Sequence, residues 1–75
     1  MIFLNAPISQ DKIIDLLNNY DEDGLTFKFK EKQGNMKLLF ETNASDLDAA
    51  AKAAKKAIKA QPWGTVLYFQ AGVEK

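Results

Sequence analysis

The residues best spaced for chemistry are Asn19-Tyr20-Asp21-Glu22-Asp23-Gly24, which set side-chain oxygens at alternate positions before a glycine. That is the first half of a calcium-binding loop. Such a loop needs a bidentate glutamate at its twelfth position, where this chain carries Lys30. A cation there repels the ion, so the segment is expected to be an acidic solvated loop. Asp46 and Asp48 form the other close pair of carboxylates. They stand at the start of a helix pattern, where negative charge is favourable without any catalytic role.

The sequence contains no histidine, cysteine or arginine, and all ten of its basic residues are lysines. It therefore lacks the side chain that titrates near neutral pH, the most readily activated nucleophile and the planar fork that grips phosphate. No nucleophile elbow, phosphate-cradling glycine loop or His/carboxylate metal set is present. The expectation is a non-enzymatic protein without metal or cofactor. The formal net charge is zero, so bulk charge gives no reason to expect a nucleic-acid partner.

The lysines fall into two groups. Lys52, Lys55, Lys56 and Lys59 fill the later turns of the helix that Asp46 and Asp48 begin, which complements its macrodipole. Lys28, Lys30 and Lys32 alternate along a strand pattern, where they discourage edge-to-edge pairing. They could also make one sheet face basic.

These groups must be positioned by a small number of elements. Ile2-Phe3-Leu4 reads as a first strand ended by Asn5-Ala6-Pro7. Ile13, Ile14, Leu16, Leu17 and Tyr20 make one stripe of an amphipathic helix, with Ser9 as N-cap and Ile8 stapled onto Ile13. Residues 25–30 alternate as a half-buried strand, and Gly34-Asn35 reads as a two-residue hairpin turn. That turn pairs Gln33 with Met36, Phe29 with Phe40 and Lys28 with Glu41. It places Leu25, Phe27, Phe29, Met36, Leu38 and Phe40 inward, and Lys28, Lys30, Lys32, Lys37, Leu39 and Glu41 outward. A capping-box pattern at Ser45 starts a second helix whose inward stripe is Leu47, Ala50, Ala51, Ala54 and Ile58. The helix stops before Pro62, and residues 65–71 read as the last strand.

The predicted order βαββαβ spans residues 1–75 as a single α+β domain. Its natural closure is a ferredoxin-like fold, a four-stranded antiparallel sheet of order 4-1-3-2 with two helices on one face. Chains of this size bury only about 60% of the surface they expose when unfolded, so one core must carry the fold. Apolar runs are too short to cross a membrane and no leader pattern precedes the first strand. No membrane association and a cytoplasmic location are therefore expected.

Within that order the chain resembles an RNA-recognition motif. Ile2-Phe3-Leu4-Asn5 is similar to that family's first strand, with an outward aromatic at Phe3. The 9–20 helix and the Ala54, Ala57 and Ile58 positions also match, and Gln33-Gly34 through Phe40 aligns on its glycine and on Leu38 and Phe40. Asn35 and Lys37 stand where the family places two base-stacking aromatics. The resemblance implies the ferredoxin-like fold and a weak, degenerate form of single-stranded RNA binding.

Alternation places Phe3, Leu39, Val66 and Tyr68 on the open sheet face, beside Lys28, Lys30 and Lys37. This is the candidate interaction surface. The last strand is an uncharged edge, so a homodimer or a protein partner is expected to cover it. The functional expectation is a small interaction domain that self-associates, with weak RNA binding as the alternative.

Overall fold

A computed structural model describes residues 1–74. The element order is β1 (Ile2–Asn5), α1 (Gln10–Asn18), β2 (Asp21–Glu22), β3 (Leu25–Gln33), β4 (Lys37–Thr42), α2 (Leu47–Lys59) and β5 (Gln70–Val73). The strands form one five-stranded sheet of order β2-β3-β4-β1-β5, antiparallel throughout.

This corrects the expected four-stranded ferredoxin-like sheet of order 4-1-3-2. The added strand is β2, a two-residue ribbon that pairs Asp21 with Thr26 and Glu22 with Leu25. Asp23 and Gly24 both take positive φ, 55° and 78°. That is the backbone of a type I′ hairpin turn, for which Asp-Gly is a preferred pair. The acidic segment that imitates a calcium loop is thus the turn of a β-hairpin. Among the described residues its carboxylates belong to no group of three or more that could hold a metal ion.

The β3–β4 hairpin keeps the expected Phe29–Phe40 and Lys28–Glu41 pairs but closes differently. Gln33 pairs with Lys37, so the turn holds Gly34, Asn35 and Met36. A three-residue turn alone would slide Phe29 opposite Glu41. A bulge between Phe29 and Glu31 absorbs the extra residue and returns Phe29 to Phe40. The hydrophobic face thus sets the register and the bulge accommodates the turn. Met36 is left exposed in the turn, and Lys32, opposite the inward Leu38, moves to the helix side of the sheet.

Both helices pack on the face formed by Ile2, Leu4, Phe27, Leu38 and Phe40, against which Ile13, Leu17, Ala50, Ala54 and Ile58 are buried. Alanine at three inward positions of α2 lets that helix approach the sheet closely. Its start is capped by the Asp46 carboxylate, which accepts from the Ala49 amide at 3.2 Å. Asp46→Ala should lower stability by about 0.5–2 kcal/mol, and Asp46→Asn by much less. Thermal melts followed by circular dichroism measure both.

Helix α1 starts without such a cap. Ser9 sits in the left-handed region at φ 61° and its side chain caps nothing. Ile8 is exposed, so the expected staple onto Ile13 does not form. Instead the Gln10 amide donates to the Ala6 carbonyl at 2.8 Å and the Asn35 carbonyl at 2.7 Å. One side chain thus ties the β1–α1 loop to the β3–β4 turn.

The edges of the sheet are managed separately. On the β3 side, β2 covers Leu25 and Thr26, and the Asn18 Oδ1 at the end of α1 accepts from the Phe29 amide at 2.8 Å. On the opposite side β5 is the outermost strand and pairs only with β1.

Candidate functional site

The expected surface does not assemble as one face. Phe3 and Leu39 are cross-strand partners on the face away from the helices. Leu39 is only 3% exposed there, and Phe3 is half-buried. The Phe3 ring lies against Gly72, where a Cβ would come within 2.8 Å of it. The Lys37 ammonium sits 5.3 Å from the Phe3 ring centroid and bonds Glu74 at 2.7 Å. Phe3 and Leu39 therefore form a small second apolar cluster, partly roofed by Lys37. Lys28 and Lys30 are exposed on β3, with Lys28 opposite Glu41.

Val66 and Tyr68 are the two most exposed large hydrophobics, at 86% and 79%. They do not lie in a sheet. The expected last strand, 65–71, is replaced by a loop through Phe69 followed by β5. Gly64 packs so closely on the end of α2 that Leu67 and Phe69 enter the core while the chain is still turning. Alternation persists along 66–69 without a ladder, with Leu67 and Phe69 in and Val66 and Tyr68 out. A loop that alternates in this way has the same sequence pattern as a half-buried strand.

All four large exposed hydrophobics share one end of the molecule. Gln33, Lys37, Asn5 and Gln70 form a row across β3, β4, β1 and β5. The loops bearing Ile8, Met36, Val66 and Tyr68 all leave from that row. The Ala6 amide donates to the Met36 carbonyl at 3.0 Å, and Gln10 bridges the same two loops. Two of the three loops are thereby held in place. Residues 61–73 contain no charged side chain, although charged residues make up 27% of the chain. This uncharged stretch supplies both the free edge of β5 and the loop beside it.

A second feature lies on the helix side. A cleft of about 500 Å³ runs between α1 and the C-terminal end of α2, lined by Asp15, Leu16, Tyr20, Asp21, Glu22 and Ala57 among others. It continues past Leu16 and Gln61 to a second hollow of about 250 Å³ beside Lys12 and Trp63. The Lys12 ammonium lies 5.9 Å from the Trp63 ring centroid. The Tyr20 ring packs on Phe27, 5.3 Å between centroids. Burial, then the Glu22 carboxylate beside it, push the Tyr20 hydroxyl above its usual pKa of 10.0. Sequence reading missed this cleft because its residues come from two segments far apart in the chain, 12–22 and 57–63. No group of three or more acidic, histidine or cysteine side chains among the described residues could hold a metal ion. No helix among them is long and apolar enough to cross a membrane.

No family model, curated protein or solved structure matches the chain.

Proposed function

We propose that this chain is a small non-enzymatic domain that self-associates, two copies meeting through the free edge of β5 and the Val66–Tyr68 loop beside it. The observation that carries this reading is the uncharged stretch 61–73, which holds an open strand edge and the two most exposed hydrophobics. Natural sheets protect such edges with charge, proline or cover. The β2–β3 side is protected by β2 and Asn18, whereas β5 pairs with β1 and packs on α2, and among the described residues no strand lies beyond it. A two-fold pairing brings like surfaces together, which an uncharged surface permits without repulsion.

Sedimentation equilibrium at high micromolar concentration tests this directly. The unmodified protein should approach twice its 8.4 kDa monomer mass. Tyr68→Lys combined with Val66→Lys should return it to the monomer with an unchanged circular dichroism spectrum, because both side chains are exposed, and with a melting temperature that no longer rises with protein concentration. A monomer at every concentration overturns the proposal.

A further inference from the structure

We propose that the cleft between α1 and the end of α2 binds a short peptide segment in which a cationic side chain neighbours an apolar one. The site is separate from the self-association surface, since neither Val66 nor Tyr68 lines it.

The argument begins with what the cleft offers. Its floor is apolar, formed by Leu16 and Ala57. Asp15, Asp21 and Glu22 line it, and no lysine lines the larger hollow. An incoming cation therefore meets three carboxylates in the larger hollow, with Lys12 as the one competing cation on the walls of the adjoining smaller hollow. Its combined size falls in the range of small-ligand sites, roughly 300–1,000 Å³.

The smaller hollow supplies an independent indication of the ligand's chemistry. There the chain's own Lys12 ammonium lies over the Trp63 face, with Asp15 on the shared wall. An aromatic face next to a carboxylate is a good environment for an alkylammonium. The cleft thus already holds one cation at its Trp63 end, whereas its acidic end has none on its walls. Burial pushes the Tyr20 hydroxyl above its ordinary pKa first, and the neighbouring Glu22 and Asp23 carboxylates add to the same direction.

An acidic peptide would be repelled by these walls. A purely apolar one would leave the carboxylates desolvated and unpaired, which is costly. A segment with a lysine or arginine beside a leucine-like residue satisfies both walls and floor.

The test uses N-acetyl-Lys-Leu-Lys-amide titrated into the ¹⁵N-labelled protein at low salt, with N-acetyl-Glu-Leu-Glu-amide as the control. Backbone shifts should move saturably at Leu16, Tyr20, Glu22 and Ala57, with a dissociation constant on the order of 1 mM. The control peptide should move none of them. The double variant Asp15→Asn/Glu22→Gln should bind about tenfold more weakly, and its melting curve establishes that it folds. Lys12→Ala should bind the basic peptide several-fold more tightly, because it removes the competing cation and bares the Trp63 face. No saturable shift at millimolar peptide, equal response to both peptides, or full affinity in the double variant would each overturn the proposal. The outcome is independent of the oligomeric state, since the Val66/Tyr68 lysine variant should give the same titration.

Discussion

Phe40→Ala should cost about 3–5 kcal/mol, the range for emptying a fully buried aromatic site. Phe40 is 0% exposed and stands opposite Ile2 on one side and Phe29 on the other. Its ring meets Phe29 edge-on, with centroids 5.5 Å apart. Removing it leaves a cavity beneath both helices and takes away the partner that the Lys30 bulge restores. Domains of this kind have total stabilities of roughly 5–15 kcal/mol, so the variant should lose a large share of its folded margin. Urea denaturation of both proteins measures the difference. A loss below about 1 kcal/mol would mean that the site is not the packed centre described above.

Gly64→Ala should be the most damaging single-methyl change in the chain. A Cβ at Gly64 would lie 1.8 Å from the Ile58 carbonyl oxygen and 2.7 Å from its carbon. Both are backbone atoms of the last turn of α2, so no side-chain rotation relieves the collision. The chain must move, and the contacts it would pull away are those of Leu67 and Phe69, which enter the core within five residues. The expected loss is at or above the upper end of the roughly 1–3 kcal/mol typical of overpacking. Gly34→Ala is the comparison. At φ +64° it meets no atom within 4 Å, so only backbone strain of about 1–2 kcal/mol opposes it. If Gly64→Ala melts with or above Gly34→Ala, the close approach of the 61–64 turn to α2 is wrong.

The sequence was most legible where hydrophobic periodicity and burial coincide. Both helices, the α2 stripe of Ala50, Ala51, Ala54 and Ile58, and the Phe29–Phe40 register follow from spacing alone. Three failures have local causes. Asp23-Gly24 is itself a hairpin signal, but the acidic residues before it have low strand propensity, and a two-residue ribbon gives no alternation to detect. The bulge at Lys30 is invisible because a two-residue turn without a bulge and a three-residue turn with one produce the same Phe29–Phe40 pair. Residues 66–69 alternate because Leu67 and Phe69 are buried from a loop, and period two reports burial without reporting a ladder. Of the expected surface, Val66 and Tyr68 are exposed. Leu39 is buried and Phe3 is half-buried, because adjacent strands place them side by side and Lys37 bends over Phe3.

Strand β1 precedes the other four in the element order, yet its two sheet neighbours lie far along the chain. It pairs with β4, beginning at Lys37, and with β5, beginning at Gln70. The Glu74 amide then closes on the Met1 carbonyl at 2.9 Å. No local hairpin can hold β1 in place, so its apolar Ile2 and Leu4 depend on partners far along the chain. Long-range closures of this kind slow folding and leave a strand open to capture in the meantime. A nascent chain stalled before residue 70 would carry β1 with one bare edge, open in that interval to aggregation and to chaperones.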